Sequence, residues 1–145
     1  MSAFDPLTIV FAKHAQHVVL IHFPIAAFIT AVGFDYAAQW TKKPAIAAAA
    51  YFNLLVAAAS TVPVMVTGLG AWQWALEGPP LKGVLLLHLL LGAASSALIA
   101  ASWWIHWRQR RHEAALPAYR LPVETAGVLI VALTAHLGGV LAGVS

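Results

Sequence analysis

Four histidines stand inside long apolar runs: His17, His22, His88 and His136. Ionisable side chains are rare and costly at membrane depth, and where they occur they usually mark a function. Neutral imidazole is the commonest metal ligand. The chain has no cysteine, which excludes disulfides, iron–sulfur clusters, thiolate zinc sites and thioether-attached haem. The residues around the histidines are aliphatic and aromatic, and no carboxylate lies at their depth. Asp5 and Glu77 fall outside the apolar runs, and Asp35 and Glu124 fall near their other ends. A dry, imidazole-bearing, carboxylate-free site suits a b-type haem. Copper on the same imidazoles is the alternative. Calcium, magnesium and non-haem iron fit poorly.

The elements that must bring these residues together are transmembrane helices. The chain has 145 residues, of which 61% are hydrophobic and only 9% charged. A soluble domain carries about 25% charged residues. Long apolar runs with few charges are the mark of membrane-spanning helices. The spacing predicts an all-α, integral membrane four-helix bundle of up-down topology. It forms one domain over 1–145, with spans at about 15–40, 45–75, 81–107 and 121–144. Residues 1–13 read as a short leader without the basic region and cleavage site of a signal peptide.

The span ends carry interfacial residues. The first closes on Asp35, Tyr36, Trp40, Lys42 and Lys43, and Pro44 opens the second. Pro63 is expected to kink the second span, and Pro24 the first by freeing the carbonyl of Leu20. Trp103, Trp104 and Trp107 form an aromatic belt before Arg108, Arg110 and Arg111. The Gly139–Gly143 spacing is a close-packing pattern.

Lys42, Lys43, Arg108, Arg110, Arg111 and Arg120 lie at one end, against Lys13 and Lys82 at the other. This asymmetry predicts two cytoplasmic basic loops and periplasmic termini in a bacterial inner membrane. The sequence pI of about 9.6 therefore reads as topology, not as nucleic-acid binding.

A helix rises about 1.5 Å per residue, which puts His22 about 8–10 Å deep, His88 roughly 10 Å and His136 roughly 12 Å, all from the outer side. His17 lies about 7 Å above His22, near the outer interface, and His14 is expected at the surface. In an up-down bundle the first and third spans stand diagonally, which makes His22 with His88 the first candidate ligand pair. His136 is then a supporting group or a ligand in another pairing. Gly138 and Gly139 would let a flat macrocycle or a helix come close. His106 and His112 fall at the inner interface. With no inner-half histidine on the other spans, a second stacked haem is not expected.

His17-x4-His22-Phe-Pro-Ile, His88 in an aliphatic third span and His136-Leu-Gly-Gly together resemble the bacterial membrane family called domain of unknown function 2231. The resemblance covers about residue 14 to 145. It implies a four-helix membrane protein. Some members are joined to Rieske-type iron–sulfur domains, which implies electron transfer. The chain departs from the family pattern at Val18, where proline is common, and in its tail at 140–145.

The leading expectation is a membrane b-type haem protein that passes single electrons near the outer face to a redox partner protein. It is more an electron carrier than an enzyme, since no acid–base pair is visible and no acid completes a triad with Ser95, Ser96 or Ser102. A copper or other transition-metal binder, with His14 and His17 as an entry route, is the second reading. A structural subunit of a respiratory or photosynthetic complex is the third. The Ala- and Gly-rich faces also permit a homodimer in the bilayer.

Overall fold

A computed structural model describes residues 15–75 and 77–143. The leader at 1–13 and His14 lie outside the described residues. The elements are α1 (Ala15–Leu20), α2 (His22–Thr41), α3 (Pro44–Gly70), a π-helical turn (Ala71–Ala75), α4 (Gly83–Arg111) and α5 (Arg120–Leu141). They make four stretches long and apolar enough to cross a membrane: Gln16–Thr41, Pro44–Trp74, Gly83–Arg111 and Arg120–Leu141. The third runs on past Trp107, because Arg108, Arg110 and Arg111 continue the helix at its end. There their charge opposes the negative pole of the helix dipole.

The helix boundaries follow local chemistry. Lys42 takes a left-handed φ of 54° and its N–H closes on the carbonyl of Ala38. Pro44 then starts α3 where a missing N–H costs nothing. The first span breaks at Ile21, between α1 and α2. Pro24 lacks the N–H that would have bonded Leu20, so the break falls where that carbonyl is released. The turn after the second span is fixed by Gly78, at φ 58°, and by Trp72 Nε1–H, which donates to the carbonyl of Pro79 at 3.0 Å.

Each span packs on its neighbours in sequence and the fourth closes on the first. The bundle is therefore up-down, with the first and third spans on one diagonal. Val62, Val66 and Leu129, each about two-thirds exposed, belong to the rim that faces lipid. The midsection is filled by Phe28, Ala31, Val32, Leu54, Ala57, Ile99 and Val131. Gly127 serves this layer directly. A Cβ there would meet Phe28 Cε1 and Cζ at 2.9 Å, so only glycine lets the ring lie flat against the fourth span.

The two hairpins repeat each other. His17, Pro24, Phe28, Ala31 and Asp35 of the first span each have a counterpart 71 positions on: His88, Ser95, Ile99, Ser102 and His106. All of this set but His17 and His88 are buried, and those two are half-buried. Ala50, Leu54, Ala57 and Thr61 of the second span match Arg120, Glu124, Gly127 and Val131 of the fourth at one position less, and all are buried. The first and third spans run in the same direction, so the repeat axis lies along the membrane normal. Among the matched positions of the spans, identical residues are few: His17/His88, Leu20/Leu91, Ala26/Ala97 and Gly68/Gly138.

Candidate functional site

The expected meeting of His22, His88 and His136 is not what the helices produce. His22 is exposed, and its Nδ1–H donates back along its own span to the carbonyl of Val18, 2.7 Å away. His136 is exposed on the fourth span. The reason is rotational. A helix turns about 100° per residue, so His22 lies about 140° around from His17. By the same rule His136 lies about 120° around from Glu124, which faces inward. Depth alone did not decide the face.

The pair that does face inward is His17 and His88, on the diagonal first and third spans. Their rings are close enough for their charges to act on each other. Each is seated in the same way on the second helix of its own hairpin. His17 Nδ1 lies 3.3 Å from Thr67 Oγ1. That hydroxyl donates to the carbonyl of Pro63 at 2.8 Å, so it accepts the imidazole N–H. His88 Nδ1 lies 3.1 Å from the carbonyl oxygen of Thr134, which can only accept. Both rings therefore carry their proton on Nδ1 and leave the Nε2 lone pair free. Ser95 and Thr134 hydroxyls, 3.0 Å apart, bind the third and fourth spans just below.

Each ring also rests on a glycine. A Cβ at Gly68 would meet His17 Cε1 at 2.8 Å, and one at Gly138 would meet His88 Cε1 at 3.2 Å. The neighbouring Gly139 has nothing within 4 Å of its Cβ direction, so Gly138 alone forms the seat. Matched histidines on matched glycines are the part of the repeat retained as sequence.

A second polar layer lies at the basic-loop end, about 27 Å along the third span from His88. Arg120 Nε donates to Asp35 Oδ2 at 2.6 Å and its Nη2 to Asp35 Oδ1 at 3.3 Å. The same guanidinium reaches Gln39 Oε1 at 3.1 Å and the carbonyl of Pro117 at 3.3 Å. His106 Nε2 sits 2.9 Å from Glu124 Oε1 and 3.7 Å from Asp35 Oδ2. Asp35, His106, Arg120 and Glu124 are all buried. Asp35, His106 and Glu124 could together offer three ligand atoms to a metal ion.

This layer corrects two expectations. His106 is not an interfacial residue but is 3% exposed, and an acid–base pair is present after all. The signals were in the sequence: Arg120 and Glu124 are one helical turn apart, and His106 lies five turns from His88 on the same face. Asp35 was assigned to the membrane boundary because it sits near Trp40 and Lys42. Arg120 was counted among the loop cations, yet it is 4% exposed and held by Asp35.

No curated protein matches the chain, and no solved structure does. The profile of DUF2231, described as a predicted membrane protein, matches residues 13–144. With nearly the whole chain matched and four apolar helices of spanning length, the protein belongs to the predicted membrane-protein family DUF2231.

Proposed function

We propose that this protein is a membrane b-type haem protein in which His17 and His88 would hold the haem iron. The observation that carries the reading is the paired seating of these two rings: diagonal spans, free Nε2 lone pairs and a glycine beneath each. Metal-ligating histidines almost always donate their other ring N–H to a carbonyl, a carboxylate or water, which fixes the tautomer and raises ligand basicity. The Thr134 carbonyl plays this part for His88 and the Thr67 hydroxyl for His17. Gly68 and Gly138 let the two rings lie directly against the backbone of the second and fourth spans, where any larger residue would press on them. Among the described residues the environment is otherwise mostly apolar, with no carboxylate near either ring, as suits a b-type haem.

The group, when bound, supplies reversible one-electron chemistry. The chain supplies the rest: two imidazoles fixed in tautomer, a hydrophobic shell and a position at the terminal end of the bundle. With Arg120 removed from the loop cations, five of them still stand at the opposite end, against Lys13 and Lys82. That asymmetry favours periplasmic termini in a bacterial inner membrane. Residues placed at that end would hold the group within reach of a partner protein on that side, not of the opposite face of the bilayer.

The test is the haem and metal content of the detergent-purified protein, expressed with ample haem. The expected result is one haem b per chain by pyridine extraction and no copper. Copper without haem would move the same imidazoles to the second reading. A colourless, metal-free protein would leave the structural-subunit reading.

A further inference from the structure

We infer that the buried His106–Glu124 pair at the basic-loop end is a proton-binding site that holds one exchangeable proton. The inference stands on the second polar layer alone and does not rest on the haem reading. It begins with charge. Asp35 and Arg120 cancel in a two-pronged ion pair. Glu124 then remains, fully buried at 0% exposure, beside the His106 imidazole, which adds a charge only when it takes up a proton. The layer would carry one uncompensated negative charge inside the bundle, which is costly. One added positive charge makes it neutral.

The geometry says what carries that charge. His106 Nε2 and Glu124 Oε1, at 2.9 Å, are within the distance at which a proton sits between them. The proton can belong to the imidazolium or to the carboxylic acid, and the charge is the same in both. A divalent metal would overshoot to a net positive charge, and it would sit beside the Arg120 guanidinium. It would also compete for Asp35 oxygens that Arg120 already holds. Glu124 Oε2 and Ser102 Oγ give the independent sign of a ligand. Both are buried and without a hydrogen-bond partner, and buried polar atoms are otherwise nearly always paired. Ser102 stands one turn from His106 on the same helix face. An unpaired oxygen is less costly on a neutral acid than on a carboxylate.

The groups facing the pair are few. The first span contributes Asp35 and Gln39, the third His106, and the fourth Arg120 and Glu124. The second span buries only Ala50, Leu54, Ala57 and Thr61, none of them titratable. A polar-walled cleft of about 520 Å³ lies at the same end, lined by Trp104, Ile105, Arg108, Gln109, His112 and Tyr119. Its Ile105 and Tyr119 adjoin His106 and Arg120 in the chain, which puts the cleft at the same end of the bundle as this layer.

Infrared difference spectroscopy of the full-length purified protein, between acidic and alkaline buffer, tests the site. The expected result is a protonated-carboxyl C=O band that shifts in D2O and vanishes in Glu124→Gln. Labelling glutamate with carbon-13 gives the same assignment without a substitution. The band should then move, whereas it stays put when only aspartate is labelled. The absence, at any pH, of both such a band and an imidazolium ring band that is lost in His106→Gln would overturn the inference, as would a carboxyl band that follows aspartate labelling or persists in Glu124→Gln. Loss of the band on adding zinc ions, with zinc retained on the protein, would make the layer a metal site instead.

Discussion

His88→Ala and His17→Ala should each abolish the haem-b spectrum of the purified protein, while His22→Ala and His136→Ala keep it. The contrast follows from the rotation of the four rings, not from their depth. His22 is already committed to the Val18 carbonyl on the lipid-facing side of the first span, and His136 is exposed. Loss of even a supporting partner of a metal ligand costs about 10–100-fold in affinity, so loss of a ligand should lower haem occupancy by more than that. Haem-to-protein ratio by pyridine extraction reads the effect. Retained haem in His17→Ala with loss in His22→Ala would restore the pairing expected from depth alone.

Arg120→Ala should be the most destabilising single substitution in the basic-loop half of the bundle. Removing one partner of a buried ion pair costs about 3–5 kcal/mol, because the other is left as an uncompensated buried charge. Here the orphan would be Asp35, at 1% exposure, next to Glu124 at 0%. The double variant Asp35→Ala with Arg120→Ala should recover part of the loss, since the pair is removed together and no charge is stranded. Arg120→Lys cannot reproduce the two-pronged contact and should fall between wild type and Arg120→Ala. Unfolding by denaturant in a fixed detergent checks the order. Equal stability of Arg120→Ala and wild type would mean that the ion pair contributes nothing.

Much of the architecture was legible in the sequence. The four spans, their up-down order and the diagonal placement of the first and third follow from length, apolar runs and short connections. His17 and His88 both stand out in the sequence as histidines within apolar runs. What the sequence hid was rotation. A span that is apolar on every side carries almost no signal of which face turns inward, so His22 and His136 looked as good as His17.

The repeat explains why. Pro24 and Ser95, Ala31 and Ser102, or Leu54 and Glu124 occupy equivalent buried places yet share no chemistry. Only the burial pattern reveals them as pairs. His17 and His88 with Gly68 and Gly138 are the exception. Their shared spacing, 71 positions for the histidines, was available to inspection. The charged layer was hidden by position: Asp35 and Arg120 sit where interfacial residues sit, and only three-dimensional packing turns them inward toward each other.

The most direct measurement of the central claim is the low-temperature electron paramagnetic resonance spectrum of the oxidised, detergent-purified protein. Two imidazoles on one haem predict a six-coordinate, low-spin ferric signal, lost or converted to high spin in His88→Ala. A high-spin signal in the wild-type protein would mean that His17 and His88 do not both bind the iron. The absence of any haem signal would contradict the account at its root.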